Sequence, residues 1–177
     1  MIEDAFTVPV RVAIRRCRQE DLPALEWWGL FAAHRDLIRD VFDRQQCDAG
    51  AEMLVAEANG MAAGQAWIDL SRRERDSTGV IWAVRVFPCL QGCGIGTRLM
   101  RAAEGVLRAQ GLDLAEVMVE RDAEGPRRWY EWLGYAETAL PPGTLATLAP
   151  PGSPPPPEGS QRVLRKRLHP AREGEEP

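Results

Sequence analysis

The sequence predicts an α/β fold, a single mixed sheet of about seven strands with helices on both faces. Three observations predict it. Apolar β-branched runs alternate with stretches of helical spacing, in the order hairpin, strand, helix, strand, helix, hairpin. Asn59-Gly60 lies between two strand-like runs, the signature of a tight hairpin. The run Val84-Arg85-Val86 leads through a loop with glycines at 92, 94 and 96 into a segment with Leu99, Ala103 and Val106 at i, i+4, i+7 spacing. That segment is strand, glycine loop, helix.

Residues 1–9 read as a flexible leader. Glu3 and Asp4, with no basic region, do not make a signal peptide. Val10 to Cys17 is the first strand. Gln19-Glu20-Asp21 opens a helix with acids in its first turn, where Pro23 is tolerated. That helix carries Leu22, Leu25, Trp27, Trp28 and Leu30. A second helix near 35–46 carries the stripe Leu37, Ile38, Val41 and Phe42. Met53–Glu57 and Gln65–Leu70 are the hairpin strands, and residues 71–77 form a charged connection. Gly79 to Val86 is nearly continuous in apolar residues, as for a strand buried on both faces.

The helix after the glycine loop stops at Gly111, a natural C′ residue. Ala115–Glu120 is the next strand. Pro126 is placed like the first residue of a short helix that ends at Gly134. Tyr135–Thr138 and Gln161–Leu168 are expected to pair across a Pro-rich insertion at 140–160, which cannot form a ladder. The domain therefore spans 10–168, and the charged tail 169–177 is expected to be disordered.

The chain has 177 residues, one domain by length, with an ordinary composition of 45% hydrophobic and 27% charged residues. A net charge of −4 argues against a nucleic-acid surface, and no apolar run is long enough for a membrane helix. All but one of the 22 basic residues are Arg, the exception being Lys166. Cysteines at 17, 47, 89 and 93 form no Cys-x-x-Cys pair, and His34 and His169 are far apart, so no metal site is expected. Cys89 and Cys93 admit a disulfide across their loop. Reduced thiols in a cytoplasmic protein are the simpler reading.

The glycine loop points backbone N–H groups one way at a helix N-terminus, which makes a cradle for a phosphate or pyrophosphate. A P-loop needs Gly-Lys-Ser/Thr, and Gly96 is followed by Thr97 and Arg98. A dinucleotide fingerprint needs Gly-x-Gly-x-x-Gly, and Gly92-x-Gly94-x-Gly96 is one residue short. Glu116 and Glu120 stand at a distance suited to a ribose contact, so that reading is weakened rather than removed.

Gln91-Gly92-Cys93-Gly94-Ile95-Gly96 resembles the Gln/Arg-x-x-Gly-x-Gly/Ala pyrophosphate signature of the GCN5-related N-acetyltransferases (GNAT). Val84-Arg85-Val86 resembles the family's fourth strand, and Trp129-Tyr130-Glu131-Trp132-Leu133-Gly134-Tyr135 its Leu-Tyr-x-x-x-Gly-Phe/Tyr element. The resemblance implies a mostly antiparallel sheet splayed between strands 4 and 5, with acetyl-CoA as co-substrate. It also implies acetyl transfer to an amine by direct attack in a ternary complex. Gln91, Gly92, Cys93, Gly94, Ile95, Gly96 and Thr97 would then hold the pyrophosphate. Val84 and Val86 would pair with pantetheine as an added strand does, and the Val86 N–H would face the thioester oxygen. Tyr130 would be the general acid. Its alternative role, with Trp129, is to pack the short helix.

The sequence departs from the family pattern in three places. Cys93 stands where Arg or Lys is common, and Ala123 stands where an Asn usually precedes the last helix. The fourth strand carries no carboxylate, only Arg85, so the general base must come from elsewhere. Asp69 is the first candidate, Glu120 the second and a water chain the third. Trp27, Trp28, Trp67, Asp36 and Asp40 are candidates for an acceptor pocket suited to a cationic amine, diluted by Arg35 and Arg39. An aromatic core stripe and a solvated helix face explain the same residues.

The expected partner is a small-molecule amine, with a protein N-terminus as a second acceptor and a homodimer as an open expectation. A non-catalytic acyl-CoA sensing module is the competing class, and a nucleotide-dependent oxidoreductase the third.

Overall fold

The computed structural model describes residues 9–27, 29–47, 50–73, 76–139, 156–157 and 159–168. The expected leader, tail and Pro-rich insertion lie outside these residues, apart from Pro9, Pro156, Pro157, Gly159 and Ser160. Among the described residues seven strands form one sheet in the order β1-β2-β3-β4-β5-β7-β6. The strands are β1 (Val12–Arg16), β2 (Ala51–Ala58), β3 (Met61–Arg73), β4 (Thr78–Val86), β5 (Leu114–Glu120), β6 (Ala136–Glu137) and β7 (Gln161–Arg167). All neighbours are antiparallel except β4 and β5, which run parallel.

Helices cover both faces. On one face α1 (Arg35–Gln46) buries Ile38, Val41 and Phe42 against Met53, Val55 and Trp67. On the other, α2 (Ile95–Ala109) buries Leu99, Met100, Ala103 and Leu107 against Ala66, Ile68, Ile81 and Val117. The third helix, α3 (Glu124–Trp132), joins this second core through Tyr130. Adjacent side chains of a strand serve opposite cores: Trp67 packs on the α1 side, and Ala66 and Ile68 on the α2 side.

The predicted first helix is instead a 3₁₀ segment, Gln19–Glu26. Pro23 within it lacks the N–H that an α-helical turn requires, and Trp27 at φ 42° turns the chain away. Asp21 anchors the segment. Its carboxylate accepts from Arg15 Nη1 at 2.6 Å, Arg15 Nη2 at 2.8 Å and the Arg18 N–H at 2.7 Å. Buried Gln45 ties α1 to the sheet by donating to the Cys17 carbonyl at 3.0 Å and accepting from the Met53 N–H at 2.7 Å. Pro126 is the third residue of α3 rather than its first.

Strand β4 departs most from expectation. Its first half, Thr78 to Ile81, is buried, but Trp82 to Val86 are only half-buried. Two features cause this. The parallel pairing to β5 covers only Thr78–Val80, after which the two strands have no register partners in each other. An extra residue also bulges the strand, because Gln65 faces Arg85 while Trp67 faces Trp82, and Ala83 sits at φ 51°. Among the described residues the far half of β4 therefore has a strand neighbour on the β3 side alone. This is the splay that the fold class implies.

Candidate functional site

The splay opens into a cavity of about 670 Å³. Its walls come from three elements far apart in sequence. Val84 and Val86 line the β4 side, the loop and first turn of α2 contribute Gly92, Gly94, Ile95, Gly96 and Thr97, and α3 contributes Trp129, Tyr130 and Trp132.

The backbone of β4 is oriented by its ladder. The Phe87 N–H donates to the Ala63 carbonyl at 2.8 Å, so Phe87 directs its polar groups toward β3. Alternation along a strand then directs those of Val86 to the other edge, into the splay. The Gln91 side chain agrees, since its Nε2 donates to the Val86 carbonyl at 3.1 Å. Gln91 thereby fixes the end of β4 against the glycine loop.

The loop is shaped by Gly92 at φ 78° and Gly94 at φ 79°, a conformation that other residues rarely adopt. No heavy atom lies within 4 Å of where a Cβ would stand on either, so a close-approaching group meets bare backbone. Gly94 caps α2 without a side-chain hydrogen bond, which leaves the first-turn N–H groups directed at the cavity rim. Gly96 has a different role. A Cβ there would lie 3.2 Å from Trp129 Cζ2, so this glycine lets α2 and α3 approach. Cys93 is exposed, with Sγ 3.8 Å from the Gln91 carbonyl, and does not line the cavity. The four cysteines are free.

Tyr130 is 8% exposed and stacks obliquely on Trp129 with ring centroids 4.8 Å apart. Burial pushes its phenol up to about 12, so it keeps its proton throughout the neutral range. The helix carrying it is secured by a buried network. Glu104 of α2, 3% exposed, accepts from Lys166 Nζ at 2.9 Å and from the Tyr135 hydroxyl at 3.2 Å. The Tyr135 N–H in turn donates to the Tyr130 carbonyl at 3.0 Å. Sequence reasoning missed this network, which joins residues as much as 62 positions apart.

Other expected site residues are not brought together. Asp69 pairs in register with Val80, six residues before Val86, or about 20 Å along the strand. Its carboxylate is buried, accepts from the Ser71 N–H and hydroxyl at 3.1 Å, and lies 3.6 Å from Arg44. It therefore serves the α1 face and not the cavity. Glu120 is exposed at the end of β5, outside the cavity lining.

The expected acceptor acids are also misplaced. Asp36 and Asp40 are on the solvent face of α1. Trp27 and Trp67 are core residues whose indole N–H groups donate to the Ala62 carbonyl at 2.7 Å and Gln65 Oε1 at 2.9 Å. Trp28 lies outside the described residues. Ala123 caps α3 without a side-chain hydrogen bond, so nothing at that position stands in for the family's Asn side chain. Among the described residues no group of His, Cys, Asp and Glu could hold a metal ion.

Comparison with known proteins agrees with this geometry. The model of the Acetyltransferase (GNAT) family matches residues 12–135. Over 64 residues the chain is 39% identical to mycothiol acetyltransferase of Beutenbergia cavernae, a match that covers 36% of this chain and 22% of that relative's length. The PaiA N-acetyltransferase of Thermoplasma acidophilum, solved in complex with coenzyme A, superposes with a TM-score of 0.68 at 15% identity, covering 89% of this chain and 99% of that one. YncA of Salmonella typhimurium, solved with acetyl-CoA, gives 0.65 at 22% identity and covers 89% and 94%. A cavity between splayed strands, floored by bare glycine backbone at a helix N-terminus, fits the acetyl-CoA that this family uses. The chain belongs to the acetyltransferase (GNAT) family.

Proposed function

We propose that this protein transfers the acetyl group of acetyl-CoA to the primary amine of a small molecule by direct attack in a ternary complex. One observation carries the reading. A single cavity combines a strand edge that β5 leaves unpaired, a glycine-floored helix N-terminus and a buried, protonated tyrosine.

Each part answers a chemical demand. The N–H groups of Ile95, Gly96 and Thr97 receive the pyrophosphate, with the positive end of α2 behind them. Cys93 adds no charge, so binding rests on backbone. Val84 and Val86 pair with pantetheine as a neighbouring strand would, and the Val86 N–H faces the thioester oxygen. A fixed donor of this kind is worth roughly 3–4 kcal/mol as negative charge develops. Tyr130 gives its proton to the departing thiolate, a role worth about 10² to 10⁴ in rate.

Among the described residues no carboxylate lines the cavity. The attacking amine therefore loses its proton through water. A cytoplasmic location fits the four free thiols, and no helix among the described residues is long and apolar enough to cross a membrane.

The test is release of free thiol from acetyl-CoA in the presence of a panel of amines. Turnover with at least one primary amine supports the proposal. The missing carboxylate favours one other reading, a module that binds acyl-CoA without turning it over. Tight acetyl-CoA binding with no thiol release across the panel would establish that reading instead.

A further inference from the structure

We infer that the amine acceptor carries a carboxylate, and that Arg85 and Gln65 bind it. The inference rests on the small-amine reading above and names the substrate class.

Arg85 stands between Val84 and Val86, the two β4 residues that line the cofactor cavity. Neighbouring side chains on a strand leave opposite faces. Val84 and Val86 pack on the α2 side, whereas the Arg85 guanidinium lies 4.2 Å over the Phe31 ring and 5.8 Å from that of Trp67, on the α1 side. Beyond Val80 the sheet is open between β4 and β5. An acceptor on the α1 side thus reaches through the splay toward the atoms that Val86 would hold, from the face opposite the cofactor.

Arg85 has no counter-charge among the described residues. Arg15, Arg44, Arg162 and Arg165 have side chains 20–28% exposed, and each lies within ion-pair distance of a carboxylate. Arg85 has only aromatic faces, and its Nη1 is buried without a hydrogen-bond partner. A desolvated cation without an anion is costly to a fold, and burial acts on this group with no opposing carboxylate.

Gln65 is its cross-strand partner and is fully buried. The Trp67 indole N–H, a donor only, fixes Gln65 Oε1 as the acceptor at 2.9 Å. Gln65 Nε2 is therefore the end turned away, and it has no hydrogen-bond partner among the described residues. The two unpaired donors thus belong to one cross-strand pair on the same face of the sheet. A planar carboxylate satisfies both, in the fork geometry that guanidinium favours.

His34 does not compete as a second cation. Burial and the nearby Arg85 charge hold its imidazole below the usual 6.5, so it is neutral at pH 7. The same Arg85 charge disfavours polycationic acceptors such as polyamines.

The test compares acetylation of L-α-amino acids, β-alanine and γ-aminobutyrate with that of their carboxamides and of spermidine. Acetyl-CoA binding is measured by calorimetry in parallel. The expected result is that at least one amino acid exceeds its carboxamide by roughly 10- to 100-fold in kcat/KM. R85Q then reduces that acid to the level of its amide, with acetyl-CoA affinity unchanged, and R85K retains an intermediate preference. Circular dichroism and the unchanged acetyl-CoA affinity of R85K separate these effects from misfolding. Turnover with equal rates for acids and amides, or an equal loss for both in R85Q, overturns the inference alone. Acetyl-CoA binding with no turnover of any amine overturns the small-amine reading, and the inference falls with it.

Discussion

Gly94→Glu probes the glycine cradle, and its effect divides into two parts. The first is conformational. Gly94 sits at φ 79°, where a side chain costs about 1–2 kcal/mol. Nothing lies within 4 Å of the added Cβ, so no clash with the protein adds to that cost. The second part is electrostatic. A carboxylate at the cavity rim faces the pyrophosphate, and two like charges about 4 Å apart at an effective dielectric of 20 repel by about 4 kcal/mol. Screening reduces this, but a loss of at least about 100-fold in affinity remains. Gly94→Ala isolates the first part, because it carries the same backbone strain with an open cradle. Calorimetric titration with coenzyme A, alongside thermal melts of both variants, reads the two contributions separately. Similar melting temperatures with affinity lost only in Gly94→Glu are expected. Wild-type affinity in Gly94→Glu would refute the cradle.

Tyr130→Phe is expected to lower kcat by about 100-fold or more with little change in acetyl-CoA affinity, read by thiol release and calorimetry. Because the phenol is held up to about 12, wild-type activity should show no loss from Tyr130 ionisation as pH rises from 7 to 10. Lys166→Met leaves the Glu104 carboxylate short of its principal partner and should cost about 3 kcal/mol, a fall of roughly 6–12 °C in Tm. Adding Glu104→Gln should recover part of that loss. Burial alone would raise the Asp21 carboxyl, but the Arg15 fork and the Arg18 N–H hold it below its ordinary 3.8. Its stabilisation is therefore complete above the unfolded value and is lost as pH falls through the folded one. Melts below about pH 4 should show a steeper decline in wild type than in Asp21→Asn.

The sequence made local features legible and long-range ones obscure. The stripe Ile38, Val41 and Phe42 and the turn Asn59-Gly60 announce α1 and the β2–β3 hairpin because their signals span a few residues. The loop from Gln91 to Gly96 was legible for the same reason. Ala83 gives no sign of its bulge, because a bulge is set by the register of two strands and not by residue type. Asp69 reads as a carboxylate at the end of a strand, yet β3 continues past it and the ladder carries it away from the cavity. Gly96 belongs by pattern to the phosphate loop, and only the packing of Trp129 reveals its second duty. Arg85 was visible as the charged residue in β4. Its lack of a counter-ion among the described residues required knowing what surrounds it.

Everything proposed for this site depends on acetyl-CoA occupying the splay between β4 and β5, with its thioester at Val86 and its pyrophosphate at the first turn of α2. Backbone amide resonances followed during titration with acetyl-CoA are the sharpest test of that placement. The Val86, Gly94, Ile95, Gly96 and Thr97 amides are expected to shift together, at one affinity, while those of Ala51 and Asp69, about 20 Å along the ladder from Val86, stay still. Saturable binding that leaves Val86 and the α2 amides unmoved would contradict it.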